Sequence, residues 1–262
     1  MLFSEIMGSM RQADGVWTTT VSEDWLQGRS VFGGLQAALA LKAMRGLVPQ
    51  GGPLRTLQAT FLSPVPAGTM RVRAQVLRAG KSATHVEGRL LDQAGQTLCQ
   101  AIGIFGAARA SAVRIVPRQP PVESAKPVQF PFVKGVTPEF TQHFAMRWLR
   151  GGMPFSGSSL PENVLELDMR DSGTASDEHV LAIADVIPPV ALSLLKAPSP
   201  GSTMTWMLEM LHDQVETLPL QGWRMDAQVV AAGEGYTSQS GLLWGPGGVP
   251  VALSRQNMVI FG

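Results

Sequence analysis

The run Ser30-Val31-Phe32-Gly33-Gly34-Leu35-Gln36-Ala37-Ala38-Leu39-Ala40-Leu41-Lys42-Ala43-Met44 decides how the rest of the chain is read. Ser30 has the chemistry of a helix N-cap, a hydroxyl able to accept from an unpaired first-turn amide. Beyond the two glycines, Leu and Ala occupy nearly every side of the helix, interrupted only by Gln36 and Lys42. A surface helix carries one apolar stripe, whereas one that is apolar all round is buried on all sides. Downstream come four strand-like runs: Leu54 to Leu62, Met70 to Leu77, Thr84 to Leu91 and Thr97 to Phe105. A Pro-containing break at 63–68, a bend at Gly80 and the hairpin signal Asp92-Gln93-Ala94-Gly95 separate them. Gly51-Gly52-Pro53 closes the helical region before the first strand. The expected unit is one helix wrapped by its own antiparallel sheet.

The unit occurs twice. Sliding Met70–Leu91 by 153 positions lays it on Trp223–Trp244 with nine identities in 22 pairs, among them Ala74/Ala227, Gln75/Gln228, Gly80/Gly233 and Gly88/Gly241. Chance would give only a few. With three extra residues near Gly245-Pro246-Gly247-Gly248, Ile104-Phe105-Gly106 meets Ile260-Phe261-Gly262. Between the copies, Pro117, Pro120, Pro121, Pro127, Pro131 and Pro138 suit an extended connection without regular structure. The expected organisation is a first unit at 1–110, a Pro-rich linker at 111–138 and a second unit at 139–262. In the second copy, Phe140 to Leu149 and the alternation of Leu165, Leu167 and Met169 read as strands. Ser176 or Asp177 caps a helix through Val180, Ile183, Ala184 and Ile187, interrupted or ended at Pro188-Pro189.

Composition excludes several functions. Hydrophobic residues make up 45% of the 262 and charged ones 16%, ample for a core and unlike a disordered chain. The apolar runs fall short of the roughly 20 residues that span a bilayer, so no membrane partner is expected. Glu5 and the missing basic n-region argue against a signal peptide. Cys99 is alone and the four histidines are scattered, so neither a disulfide framework nor a metal cluster is expected, and a cytoplasmic setting fits. No basic run with interleaved aromatics marks a nucleic-acid binder. The net charge of +1 conceals 14 Lys+Arg against 7 Asp+Glu in residues 1–131 and 7 against 13 in 132–262. Such halves attract one another or leave the basic half for a phosphate-bearing ligand, unless the clustering is plain surface charge. Gly80-Lys81-Ser82 lacks the first P-loop glycine, and no Gly-x-Ser-x-Gly elbow is present.

The motifs that remain are Phe32-Gly33-Gly34, the Pro-rich linker, Ala184-Asp185-Val186-Ile187-Pro188-Pro189, Gly201-Ser202-Thr203-Met204-Thr205-Trp206 and Ser254-Arg255-Gln256 near the C-terminus. On these residues the chain resembles the acyl-CoA thioesterases of the TesB-like double hot-dog type, over nearly its whole length. The resemblance implies an α+β double hot-dog, two tandem units each with an antiparallel sheet around a central helix. It also implies hydrolysis of an acyl-CoA thioester without a cofactor, in a chain compatible with a homo-oligomer. The family's Asp on the second helix, its Ser or Thr on the next strand and its Gln near the C-terminus fall on Asp185, Thr203 and Gln256. Ser202 replaces Thr203 if the strand register slips by one. A carboxylate draws a proton from water or orients it, while a hydroxyl and an amide fix its position. Helix N-terminal amides at Gly33 and Gly34 suit a developing oxyanion, making these the expected substrate-binding residues.

Each residue also has a purely structural reading. Asp185 could pair with a surface cation, Thr203 suits a strand by its β-branch, Gln256 could be an ordinary strand residue, and Gly33-Gly34 could serve close packing. A catalytically weak acyl-CoA- or lipid-binding protein of the same fold is the alternative. A hot-dog dehydratase would pair a His with the helix carboxylate, and His179 precedes Asp185 by more than a turn. Aligned at their last strands, the two copies set Gln100 opposite Gln256. Pairing Thr56 with Thr203 then puts Ala38 where Asp185 would be. One working site per chain is the expectation.

Overall fold

The computed structural model describes residues 1–48, 52–122 and 127–261. Residues 49–51, residues 123–126 of the Pro-rich stretch and Gly262 lie outside them. The first half begins with α1 (Phe3–Ser9), which the apolar pattern did not announce, then β1 (Arg11–Ala13) and β2 (Val16–Val21). The short strands β3 (Leu26–Gln27) and β4 (Ser30–Val31) pair with each other and lead into α2 (Gly33–Arg45). The strands β5 (Leu54–Phe61), β6 (Gly68–Ala79), β7 (Thr84–Leu91) and β8 (Thr97–Phe105) follow. The Pro-rich stretch holds one short strand, β9 (Val128–Phe130), where no regular structure was expected. Pro127 and Pro131 bound it on either side, and it lies at the edge of the sheet. The second half runs β10 (Phe144–Arg150), β11 (Glu162–Met169), α3 (Asp177–Asp185), α4 (Ala191–Leu194) and β12 (Gly201–Met210). The last strands are β13 (Trp223–Gly233), β14 (Tyr236–Gly245) and β15 (Val249–Ile260). The strand expected from Phe140 starts only at Phe144, because Glu139–His143 forms a 3-10 turn.

Among the described residues thirteen strands form one antiparallel sheet in the order β1-β2-β6-β7-β8-β5-β12-β15-β14-β13-β11-β10-β9. Its seam is the β5–β12 pair, from which β8-β7-β6-β2 and β15-β14-β13-β11 run outward as matching series. The irregularities match as well. β5 skips Arg55 against β8, and β12 skips Met204 against β15. β8 skips Leu98 and β15 skips Val251, while Leu77 and Val230 bulge from β6 and β13. Bulges pin register, since one extra residue turns every following side chain over. These landmarks correct the sequence alignment of the last strands. Gly103, not Gln100, corresponds to Gln256, and Leu54, not Thr56, corresponds to Thr203. The three-residue insertion placed near Gly245 does not exist, because the spacing of 153 holds through β8 and β15.

The helix α2 is as buried as its composition required: Leu35, Ala37, Ala38, Leu39, Ala40, Leu41, Ala43 and Met44 are all inaccessible. Ser30 does not cap it. The N-cap position is Phe32, without a side-chain bond, and Ser30 sits on β4, where its hydroxyl accepts from the Val65 amide and from Gln36. α2 packs against α3 in the opposite direction. Arg45 at the end of α2 pairs with Asp177 at the start of α3. At the other end, Gly34 faces Ala182 so closely that a Cβ on Gly34 would stand 3.0 Å from the Ala182 Cα and 2.8 Å from the Phe32 ring. Backbone cannot yield as a flexible side chain can, so Gly34→Ala is expected to cost about 1–3 kcal/mol by overpacking. A urea melt of the variant checks this.

α3 begins as the sequence suggested. Ser176 caps it, accepting from the His179 amide while its own N–H donates to His179 Nδ1. It stops at Asp185, three residues before Pro188-Pro189. Among the described residues no helix is long and apolar enough to cross a membrane.

Candidate active site

The arrangement of the two helices puts the last residue of α3 against the first turn of α2. Asp185 projects there, its Oδ2 so near Gly33 that a Cβ on that glycine would lie 2.8 Å away. The Gly34 N–H donates to the same carboxyl group. From the sheet, Gln256 of β15 reaches in and donates from Nε2 to Asp185 Oδ1 at 2.6 Å. Gln256 is 5% exposed and shares a register row with Trp206 and Gln239, all facing the helices. Asp185, Gly33, Gly34 and Gln256 are thus brought together from three elements.

Thr203 is not in that hydrogen-bonded group. By register it stands beside Met258, which is buried on the helix-facing side, two rows from Gln256 across the skipped Met204. Its hydroxyl bonds to neither Asp185 nor Gln256. Ser202 is exposed and lies opposite Val259. The register therefore puts Thr203, rather than Ser202, on the face that carries Gln256.

Burial pushes the Asp185 carboxyl up to about 7, against the opposing effects of the Gln256 and Gly34 donors. Its place at the C-terminal end of α3, where the helix dipole is negative, has the same sign as burial, and the N-terminus of α2 has the opposite one. A carboxyl group balanced in this way exchanges protons near neutrality, as a general base must. Cys99 on β8 is fully buried, and its thiol is raised to about 12 by burial and by the nearby Asp185 charge. It is therefore a neutral wall rather than a nucleophile. Among the described residues no group of three His, Cys, Asp or Glu side chains is placed to hold a metal ion.

Sequence reading missed Gln239 on β14. Its side chain is 4% exposed and lies next to Gln256, with Oε1 accepting from the Val190 amide at 2.7 Å and Nε2 donating to Gln256 Oε1 at 3.5 Å. The only available signal was a mismatch within the repeat, because Val86 occupies its place in the first half. The same half has Gly103 for Gln256 and Leu54 for Thr203. Met44 fills the room left at Gly103, its sulfur 2.9 Å from where a Cβ would be. The first half thus holds an apolar filling where the second holds a polar cluster.

A family model of the acyl-CoA thioesterase N-terminal domain matches residues 21–115, and one of the acyl-CoA thioesterase C-terminal domain matches residues 117–260. Among solved structures, a conserved protein of unknown function with a hot-dog fold from Alicyclobacillus acidocaldarius is similar at a TM-score of 0.88 and 20% identity, over 99% of this chain and 98% of that one. A tesB protein of Mycobacterium avium subsp. paratuberculosis matches at a TM-score of 0.78 and 12% identity over 100% of both chains. An acyl-CoA thioesterase II from Mycobacterium marinum matches at 0.72 and 15%, over 99% and 98%. At such identities the likeness is one of fold. No curated protein matches the chain in sequence.

Proposed function

Because the chain belongs to the acyl-CoA thioesterase family, we propose that it hydrolyses an acyl-CoA thioester with a water held between Asp185, Gln256 and Thr203. The chain is then a double hot-dog, with units at 1–110 and 139–262 joined by the linker at 111–138. The observation that carries the reading is the convergence of Asp185, Gln256 and the Gly34 amide, with the carboxyl poised near neutrality. Asp185 takes a proton from the water as its oxygen bonds to the thioester carbonyl carbon. The tetrahedral intermediate carries its negative charge on the former carbonyl oxygen, near the N-terminus of α2, where the Gly34 amide is already engaged by Asp185. Its collapse breaks the carbon–sulfur bond, and the proton held by Asp185 passes to the departing thiolate. Water, thioester, acid and thiol balance, and no cofactor enters.

Release of free thiol from a panel of acyl-CoAs, followed in the presence of a chelator, tests the proposal. Turnover is expected to persist with chelator and to rise with pH through about 7, as Asp185 loses its proton. Binding without thiol release across the panel would leave the non-catalytic acyl-CoA- or lipid-binding reading instead.

A further inference from the structure

Gln256 can help a carboxylate only if its NH₂ end, not its carbonyl end, faces Asp185. The two ends of an amide have nearly the same shape, so packing alone does not choose between them. The choice is made elsewhere, by a backbone group that cannot turn over. The Val190 amide points at Gln239 at 2.7 Å, and an N–H can only donate, so Gln239 must present its oxygen there. Its NH₂ is thereby directed at Gln256, whose Oε1 faces it at 3.5 Å as the acceptor. The Nε2 of Gln256 is left for Asp185, 2.6 Å away. We propose that Gln239 is a positioning residue that fixes the direction of the Gln256 amide, so that the donor chain from Val190 ends on Asp185 as an N–H.

This role rests on the thioesterase reading for its purpose but not for its physics. Without Gln239, Gln256 can turn over and offer its carbonyl to Asp185. A carbonyl accepts from the protonated acid and repels the carboxylate, so the reversed amide favours the wrong protonation state of a general base. The first half supplies an independent observation. There the counterparts of Gln239, Gln256 and Thr203 are Val86, Gly103 and Leu54, so the positioning group is absent together with the groups it would serve.

Few other charges face Asp185 from the surrounding elements, among the described residues. On β8 there is the Cys99 thiol, held neutral. On α2, Lys42 lies more than two turns from Gly33, and Arg45 is paired with Asp177 at the far end. Arg255 of β15, Glu209 of β12 and Tyr236 of β14 are exposed, and Arg55 of β5 bonds the Gly106 carbonyl.

The test is a ¹³C NMR titration of the Asp185 carboxyl group, its resonance identified by its loss in Asp185→Asn. Native protein is compared with Gln239→Met, which keeps volume and removes both polar ends. It is also compared with Gln239→Glu, whose carboxylate keeps the Val190 bond but accepts from Gln256 and so reverses it. The midpoint is expected to rise by about half a unit or more in Gln239→Met, and further in Gln239→Glu. In the thioesterase assay the acid limb of kcat should move by the same amount, with KM changed less. A midpoint that stays put in a folded variant, verified by its melting curve, overturns the role. If Gln239→Met does not fold, Gln239→Leu decides, because it also lacks both polar ends and adds no charge of the kind by which Gln239→Glu raises the midpoint in any case. The titration needs no substrate, so it gives its answer even if no acyl-CoA is hydrolysed.

Discussion

Asp185→Asn is expected to lower thioester hydrolysis by about 10²–10⁴-fold, the usual cost of losing a positioned general base. Asn has almost the same shape and still offers one oxygen to Gln256 Nε2 or to the Gly34 amide, so the helix–helix contact survives. What disappears is the only carboxylate, among the described residues, at the meeting of α2, α3 and β15. The same substitution should change stability in a pH-dependent way. Asp185 has a folded pKa of about 7 against a reference of 3.8, so the folded state binds the proton more tightly than the unfolded state. The protonated group therefore contributes stability that is fully present below the reference value and is lost as pH rises through about 7. By linkage that loss amounts to at most about 4 kcal/mol. Urea melts of the Asn variant should thus vary less between pH 5 and 8 than those of the native protein. Unchanged turnover in the variant would assign Asp185 to structure alone.

Much of this was legible in the sequence because it follows from patterns that burial enforces. The all-round apolar surface of Leu35–Met44 admits no exposed setting, and the clean alternation of Met70–Leu77 admits only a half-buried strand. The capping chemistry of Ser176 and the double proline at 188–189 marked α3 to within a few residues. Ser30 misled because a good capping residue is only a local preference. Here its hydroxyl serves the Val65 amide, from a loop 35 residues on, and α2 starts where glycine alone leaves room for the Asp185 carboxyl group. The register of the last strands was illegible for a different reason. The identities at Ile104-Phe105 and Ile260-Phe261 invited an insertion, whereas register follows the bulges at Leu98 and Val251, which leave no mark on composition. Gln239 was hidden because its importance lies in which of two similar ends points where, and that depends on a backbone amide 49 residues away.

The corrected register sharpens the prediction about the two glutamines. Gln256→Leu is expected to cut kcat/KM at neutral pH by about 10–100-fold, through two effects of one missing NH₂. The water loses one of its holders, and Asp185 loses the side-chain donor that opposes its burial. Removing a donor from a carboxylate raises its pKa, so the acid limb must move above its native position near 7, and part of the lost rate should return on raising the pH. Gln100 has no such place. Register puts it opposite Arg89 and Thr60 on the outer side of the sheet, where its amide bonds Glu87 together with Gln75 and Arg89. Gln100→Ala removes one of three donors to a carboxylate on the side of the sheet facing away from Asp185 and should leave kcat/KM within about twofold. The site counterpart of Gln256 in the first half is Gly103, whose space Met44 already fills, so no amide is available there to hold water. If Gln100→Ala and Gln256→Leu, both folded, proved equally damaging, the single site per chain would have to be abandoned.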